Sequence, residues 1–412
     1  MTVRLPRGSY LVVGLGMNLL LGTAYSWSVF RAALVAEFAT RGADAFTALL
    51  PFAAAMAMFS VGMVFAGRAV DRLGPRKVAL AGVLVFASGY MLCSLFDRSP
   101  WPMPTLTLLY GGLVGLGTGF GYNPTITTAV RWFPVRKGVA SGIVVMGVGL
   151  SPVVTAPLAG YLIGIYGVPT TFLLLGILFL AVLVPLALLL QFPPAGWEPP
   201  AAVVTKQRRA WRPLTEVGPR TVLRSRVFWT AWTLYVLGTA EGFMVIGNAF
   251  TIAKEVGFAT DAVATLAVIV LALFNSAGRP VFGRLADQWS PRETLLVMYT
   301  VLLGAMALLS VSSGLEPVFL GVALTGIVFG GFLAVMPALS TLYFGERHAG
   351  ANYGLLFTAF GVGNLVALFA GGWIRETTGA YLSAFYVGLA LSAVGLVLSL
   401  EVRPPRAVPA PG

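Results

Sequence analysis

Apolar runs of about 20 residues, separated by short polar segments, recur along the whole chain. Wound as a helix, such a run matches the roughly 30 Å hydrocarbon core of a bilayer. The runs at 10–30, 46–67, 78–96, 105–130, 138–165, 170–192, 226–250, 261–285, 294–313, 317–341, 350–374 and 381–401 predict an all-α membrane protein of twelve transmembrane helices. Several are longer than an upright span needs, so tilt or kinks are expected. One connection is long, and it opens PPAGWEPP and continues KQRRAWRPL. It divides the chain into an N-terminal six-helix half (1–192), a cytoplasmic linker (193–225) and a C-terminal six-helix half (226–412). The linker's Lys and Arg suit anionic lipid headgroups.

With 58% hydrophobic and only 10% charged residues in 412, the composition excludes a soluble globular chain. The net charge of +12 is not a nucleic-acid signature, because the cations sit between apolar runs. With the N-terminus inside, inside segments hold twenty-one Lys and Arg and outside segments five, which places both termini in the cytoplasm. The apolar stretch from Tyr10 to Phe30 is too long for a signal-peptide core, so the chain reads as multi-pass in the cell (inner) membrane. One cysteine, Cys93, and one histidine, His348, exclude a disulfide framework and a thiolate or His-rich metal site. No cofactor is expected. There is no phosphate-binding loop and no Ser/His/Asp constellation, so no enzyme reading survives.

The two halves repeat one another. Gly67, Asp71, Pro75 and Arg76 recur at one constant offset as Gly283, Asp287, Pro291 and Arg292. Gly142, Gly149, Gly160 and Gly167 recur at a second, slightly smaller offset as Gly354, Gly361, Gly372 and Gly379. A six-helix unit duplicated in parallel is the pattern of transporters whose halves rock about a midplane site.

The loop GRAVDRLGPRK, echoed in GRLADQWSPRE, resembles the signature of the major facilitator superfamily. Asp71 and Arg72, with Asp287 and Arg292 in the second copy, are the expected conformational latch: an aspartate there can pair with a basic residue or a helix end. Gln288 and Ser290 replace Arg and Gly, so the second latch is expected to be weaker. NLLLGTAYSWSVF, GLGTGFGYNP and FNSAGRPVFGRLAD further resemble the oxalate/formate antiporter family, which is related to the monocarboxylate transporters. That resemblance implies that Arg279, in the N-x-x-G-R pattern, ligates a substrate carboxylate. Oxalate-type members carry lysine in a T-A-K-G context. Here the stretch is T-A-F-G, with Phe360 in the lysine's place, which argues against a dicarboxylate.

Independently of the resemblance, Arg279 is a cation inside a predicted span, a placement that costs about 2.5–3.5 kcal/mol on insertion scales and marks a cavity or a partner. The alternative is snorkelling to the cytoplasmic face. Asn275 lies one turn earlier on the same face and can serve the same anion or helix packing. Tyr25, Tyr122 and Asn123 stand in the family-like motifs and are candidate cavity residues. Glu241 is the acidic residue well inside a span and the candidate for proton coupling, with Glu255, Asp261 and Glu376 at outer ends as alternatives. The reading is a secondary active transporter that moves small monocarboxylates of the lactate, pyruvate or formate class by alternating access, together with protons. An oxalate/formate-type exchanger and a non-transporting anion sensor are the alternatives. One intramembrane cation matches one transportable negative charge, which favours the first.

Overall fold

The computed structural model describes residues 6–44, 46–194, 196–197, 216–246, 248–256, 260–378 and 382–403. The KQRRAWRPL part of the linker and both chain ends lie outside the described residues. In chain order the α-helices are α1 (Arg7–Leu21), α2 (Trp27–Phe38), α3 (Leu50–Leu73), α4 (Pro75–Cys93), α5 (Pro102–Leu106), α6 (Gly115–Trp132) and α7 (Lys137–Leu189). After the linker come α8 (Pro219–Val222), α9 (Arg226–Ile246), α10 (Ala249–Glu255), α11 (Asp261–Gln288), α12 (Pro291–Ser310), α13 (Leu315–Phe344), α14 (Ala349–Thr378) and α15 (Leu382–Ser399). No strand occurs among the described residues. Eight helical stretches among them, one running from Arg7 to Arg41 through α1 and α2, are long and apolar enough to cross a membrane. Outward-facing Leu108, Tyr161, Leu273 and Val397 are 52–74% exposed, an apolar surface that lipid satisfies and water does not.

Proline at the first turn starts α3, α4 and α12, where its missing N–H has no intrahelical partner to lose. Gly74, at φ 83°, ends α3 and lets α4 begin at once. Three boundaries differ from the hydrophobic pattern. The run 10–30 continues through a tight turn at Gly22–Ser26 into α2, so Arg31, just past the end of the run, is helical. Polarity marks where the apolar run ends, and the helix itself goes on until a breaker arrives. The runs 138–165 and 170–192 form one helical stretch broken at Gly167, whose φ of 74° turns the chain without a loop. Between α5 and α6, Thr107–Val114 is wound as a π-helix.

Helices α1, α3, α4, α6 and α7 pack on one another, as do α9 and α11 to α15, and the two groups meet mainly along α3 with α14 and α7 with α11. Both seams are built on glycine. A Cβ on Gly67 would lie 2.0 Å from the Gly350 carbonyl oxygen, and one on Gly283 would lie 2.1 Å from that of Gly138. Further along, Gly354 abuts the Met63 carbonyl and Gly142 that of Arg279. The repeated glycines thus line two equivalent seams, where missing side chains let backbones touch.

Candidate substrate site

Arg279 sits nine residues before the end of α11, about 13 Å along the helix axis. It does not snorkel: the residue is 0% exposed. Its Nη1 donates to the Val145 carbonyl on α7, in the other half, and Nη2 donates to Asn275 Oδ1 at 3.3 Å. Its Nε has no hydrogen-bond partner among the described residues. Gly149 makes the placement possible, because a Cβ there would stand 3.2 Å from the guanidinium carbon and 2.5 Å from Ser276 Oγ. Pro280 follows directly and leaves the Ser276 carbonyl without its intrahelical donor. Among the described residues no carboxylate lies within 4.0 Å of the guanidinium.

Four phenol groups lie within electrostatic range instead, Tyr25 and Tyr122 from one half and Tyr235 and Tyr353 from the other. Tyr25 is half-buried and the other three are buried. The Tyr353 hydroxyl lies beside those of Tyr122 and Tyr235, yet neither it nor the Tyr235 hydroxyl makes a hydrogen bond of good geometry among the described residues. Aromatic rings close the space beside them. Phe357 lies 4.8 Å from Phe59 and 5.7 Å from Tyr122 across the seam, and 4.8 Å from Phe360. Phe360 is 1% exposed and also touches Phe243 at 5.0 Å and Tyr235 at 6.3 Å, so its ring faces protein and not lipid. Asn123 is directed elsewhere: its Nδ2 donates to the carbonyls of Gly350 (3.3 Å) and Met63 (3.5 Å) at the seam.

Beyond Arg279, towards the arginine-rich end, each seam closes on an aspartate. Asp71 accepts from the Gly350 amide (3.3 Å) and the Ala351 amide (2.9 Å), which open α14. Asp287 accepts from the Gly138 and Val139 amides, both at 2.8 Å, which open α7. An anion at a helix N-terminus is satisfied by free N–H groups and by the helix dipole. Asp71 also pairs with Arg131 at 2.8 Å, whereas Arg72 is exposed. Asp287 has no ion pair among the described residues, and Arg292 is half-buried with its Nε unpartnered there. Lys137 and Glu346, 2.7 Å apart, add an ion pair between the groups.

The family model for the Major Facilitator Superfamily matches residues 16–319 and 240–412. The chain belongs to that superfamily. It is a membrane transporter and not an enzyme. It is 26% identical to the oxalate:formate antiporter of Oxalobacter formigenes over 97% of this chain and 92% of that protein. It is also 26% identical to human monocarboxylate transporter 11, over 83% of this chain and 71% of the relative. The E. coli fucose:proton symporter, 12% identical, superposes with a TM-score of 0.71 over 96% of this chain and 98% of its own, a likeness of fold.

In this transporter Glu241 lies apart from Arg279, on the side of α9 that faces Ser392 of α15. It is 1% exposed, accepts a hydrogen bond from the Ser392 hydroxyl, and leaves Oε1 unpartnered among the described residues. Met306, Phe385 and Asn248 line the cavity of about 10 Å³ beside it, roughly room for one water. The side chains of Asp261 and Glu376 lie outside the described residues. Sequence reasoning missed Arg131 as the partner of Asp71, and it missed Tyr235 and Tyr353. Tyr353 was within reach, because it precedes Phe360 by seven residues and Phe357 by four, one stripe of α14.

Proposed function

We propose that this transporter moves small monocarboxylates of the lactate, pyruvate or formate class, together with protons, by alternating access in the cell membrane. The observation that carries the reading is Arg279, a guanidinium buried between the halves with no carboxylate beside it among the described residues. A planar cation fork is satisfied by one carboxylate, and a second negative charge there is left without compensation. The neighbouring hydroxyls of Tyr235 and Tyr353 are further donors for such an anion, and the rings of Phe357 and Phe360 suit a short apolar tail. Relatives named as monocarboxylate transporters support the substrate class. Twelve spans with both ends in the cytoplasm complete the proposed topology, and the aspartate-closed seams then form the inner gate.

Glu241 is the proposed proton carrier, since it is buried and its hydrogen-bonding partner among the described residues is a serine hydroxyl. Intramembrane carboxyls so placed serve proton relays. Glu241→Gln is expected to abolish uphill uptake driven by an inward proton gradient, while counterflow of labelled lactate in liposomes continues. Undiminished gradient-driven accumulation removes Glu241 from the coupling step.

The second reading, exchange of oxalate for formate, is favoured by the antiporter from Oxalobacter formigenes. Liposomes loaded with labelled lactate or oxalate, with and without a pH gradient, separate the two. Phe360→Lys is expected to raise competition by oxalate against lactate about tenfold, by supplying the second cation. Equal competition in wild-type and variant protein of equal folded yield defeats the one-cation argument.

A further inference from the structure

At the arginine-rich end, α3, the end of the linker with α8, and the start of α14 enclose an open groove of about 710 Å³. Four arginines line it, with His348 beside them: Arg68 and Arg72 from the N-terminal half, Arg347 from the C-terminal half, and Arg220 from the linker end, which is hydrogen-bonded to α13 and α14 through Val217. All four are exposed, and among the described residues none is in an ion pair. The acid in the lining, Asp71, is already held by Arg131 and by two amides of α14.

The equivalent place on the other seam is different. There the cavity is about 30 Å³, lined by Lys137 and Asp287 among apolar and proline residues. By the repeat offsets, Arg68 corresponds to Arg284, but Arg72 corresponds to Gln288 and Arg347 to Val135, while Arg220 belongs to the linker. The basic groove is therefore no by-product of the duplicated aspartate loop. An inside-positive bias explains cations near the surface, but not their convergence from both halves on one concavity.

We propose that this groove binds a polyvalent phosphate-bearing anion, which holds the arginine-rich end closed. Guanidinium forks take phosphate oxygens in pairs. An anion that touches Arg68 or Arg72 together with Arg220 or Arg347 spans the two halves. Those arginines face one groove while Asp71 rests on the α14 amides, and rocking apart separates them. The anion thus binds one state preferentially and shifts the population towards it. A lipid headgroup and a soluble polyphosphate share this chemistry.

The test uses the full chain in phosphatidylcholine nanodiscs, with inorganic tripolyphosphate as the soluble probe and added cardiolipin as the lipid probe. Titration calorimetry reads binding, and amide hydrogen exchange over residues 349–352 reads opening of the seam. Tripolyphosphate is expected to bind saturably and to slow exchange, and Arg220→Gln/Arg347→Gln is expected to weaken binding about tenfold or more and to remove the slowing. Slowing by cardiolipin alone, lost in the double variant, supports the proposal with a headgroup as ligand. Arg284→Gln, on the other seam, should behave as wild type. The proposal is overturned if neither probe slows exchange, if either slows it equally in the double variant, or if Arg284→Gln loses as much. Neither readout depends on the transported substrate, so failure here leaves the carboxylate reading untouched.

Discussion

Arg279→Lys is expected to lower counterflow of labelled lactate by roughly 10- to 100-fold although the charge is kept. An ammonium is a point charge, and it cannot hold the Val145 carbonyl and Asn275 Oδ1 while presenting a second edge to a carboxylate. The shorter reach compounds the loss. Lysine in place of arginine pulls the charge away from Val145, across the seam, and leaves that carbonyl without its donor. Uptake near the wild-type rate, with equal amounts of inserted protein, removes Arg279 from the substrate site. A rise confined to KM would mean that Arg279 holds the substrate equally well before and during the rate-limiting step.

Gly67→Ala is expected to reduce transport more than about tenfold by a different route, through closure of the seam and not through binding. The added methyl would stand 2.0 Å from the Gly350 carbonyl oxygen and 3.0 Å from the Ala351 Cα, both backbone atoms that no rotamer change can move. The halves must separate there, and the Asp71 contacts with the Gly350 and Ala351 amides lengthen with them. Hydrogen exchange at Ala351 should accelerate in the variant. Gly304→Ala, in α12, is the control: its added methyl would meet nothing within 4 Å, and transport should be unchanged. If Gly67→Ala transports like the control, the glycine seam is not what closes this end.

Local pattern carried much of this architecture. The apolar runs located the helices, because lipid demands length and hydrophobicity of each span separately. The repeated glycines revealed the duplication but not the seams they line, because a missing side chain shows that close approach is allowed and not which backbone comes close. Arg279 stood out because charge inside a span is rare. The partner of Asp71 was not legible: Arg131 lies 60 residues away on another helix, and nothing in either local sequence selects it among the many arginines. Tyr235 and Tyr353 were hidden among 13 tyrosines, a residue type that serves equally well in packing or as an interfacial anchor. Glu241 was visible as a buried acid, but its position beside Ser392, and apart from Arg279, depends on how α9 is rotated in its bundle. The groove of four arginines required the linker end, α3 and α14 to meet, which no single segment encodes.

The π-helical winding of Thr107–Val114 bears on how this protein has been free to change in length. The offset that relates Arg76 to Arg292 is larger by four than the one that relates Gly142 to Gly354, so an alignment of the halves must shift phase between them by about one helical turn. The π segment lies inside that interval, and its wider turns take up part of the surplus chain. An insertion of one residue within a seam helix has no such outlet. It would rotate everything beyond it by about 100° and drive side chains into carbonyls that now face only glycine. Length variation among descendants of the same duplication should therefore collect between positions 77 and 137, and spare α3, α11 and the opening turns of α7 and α14.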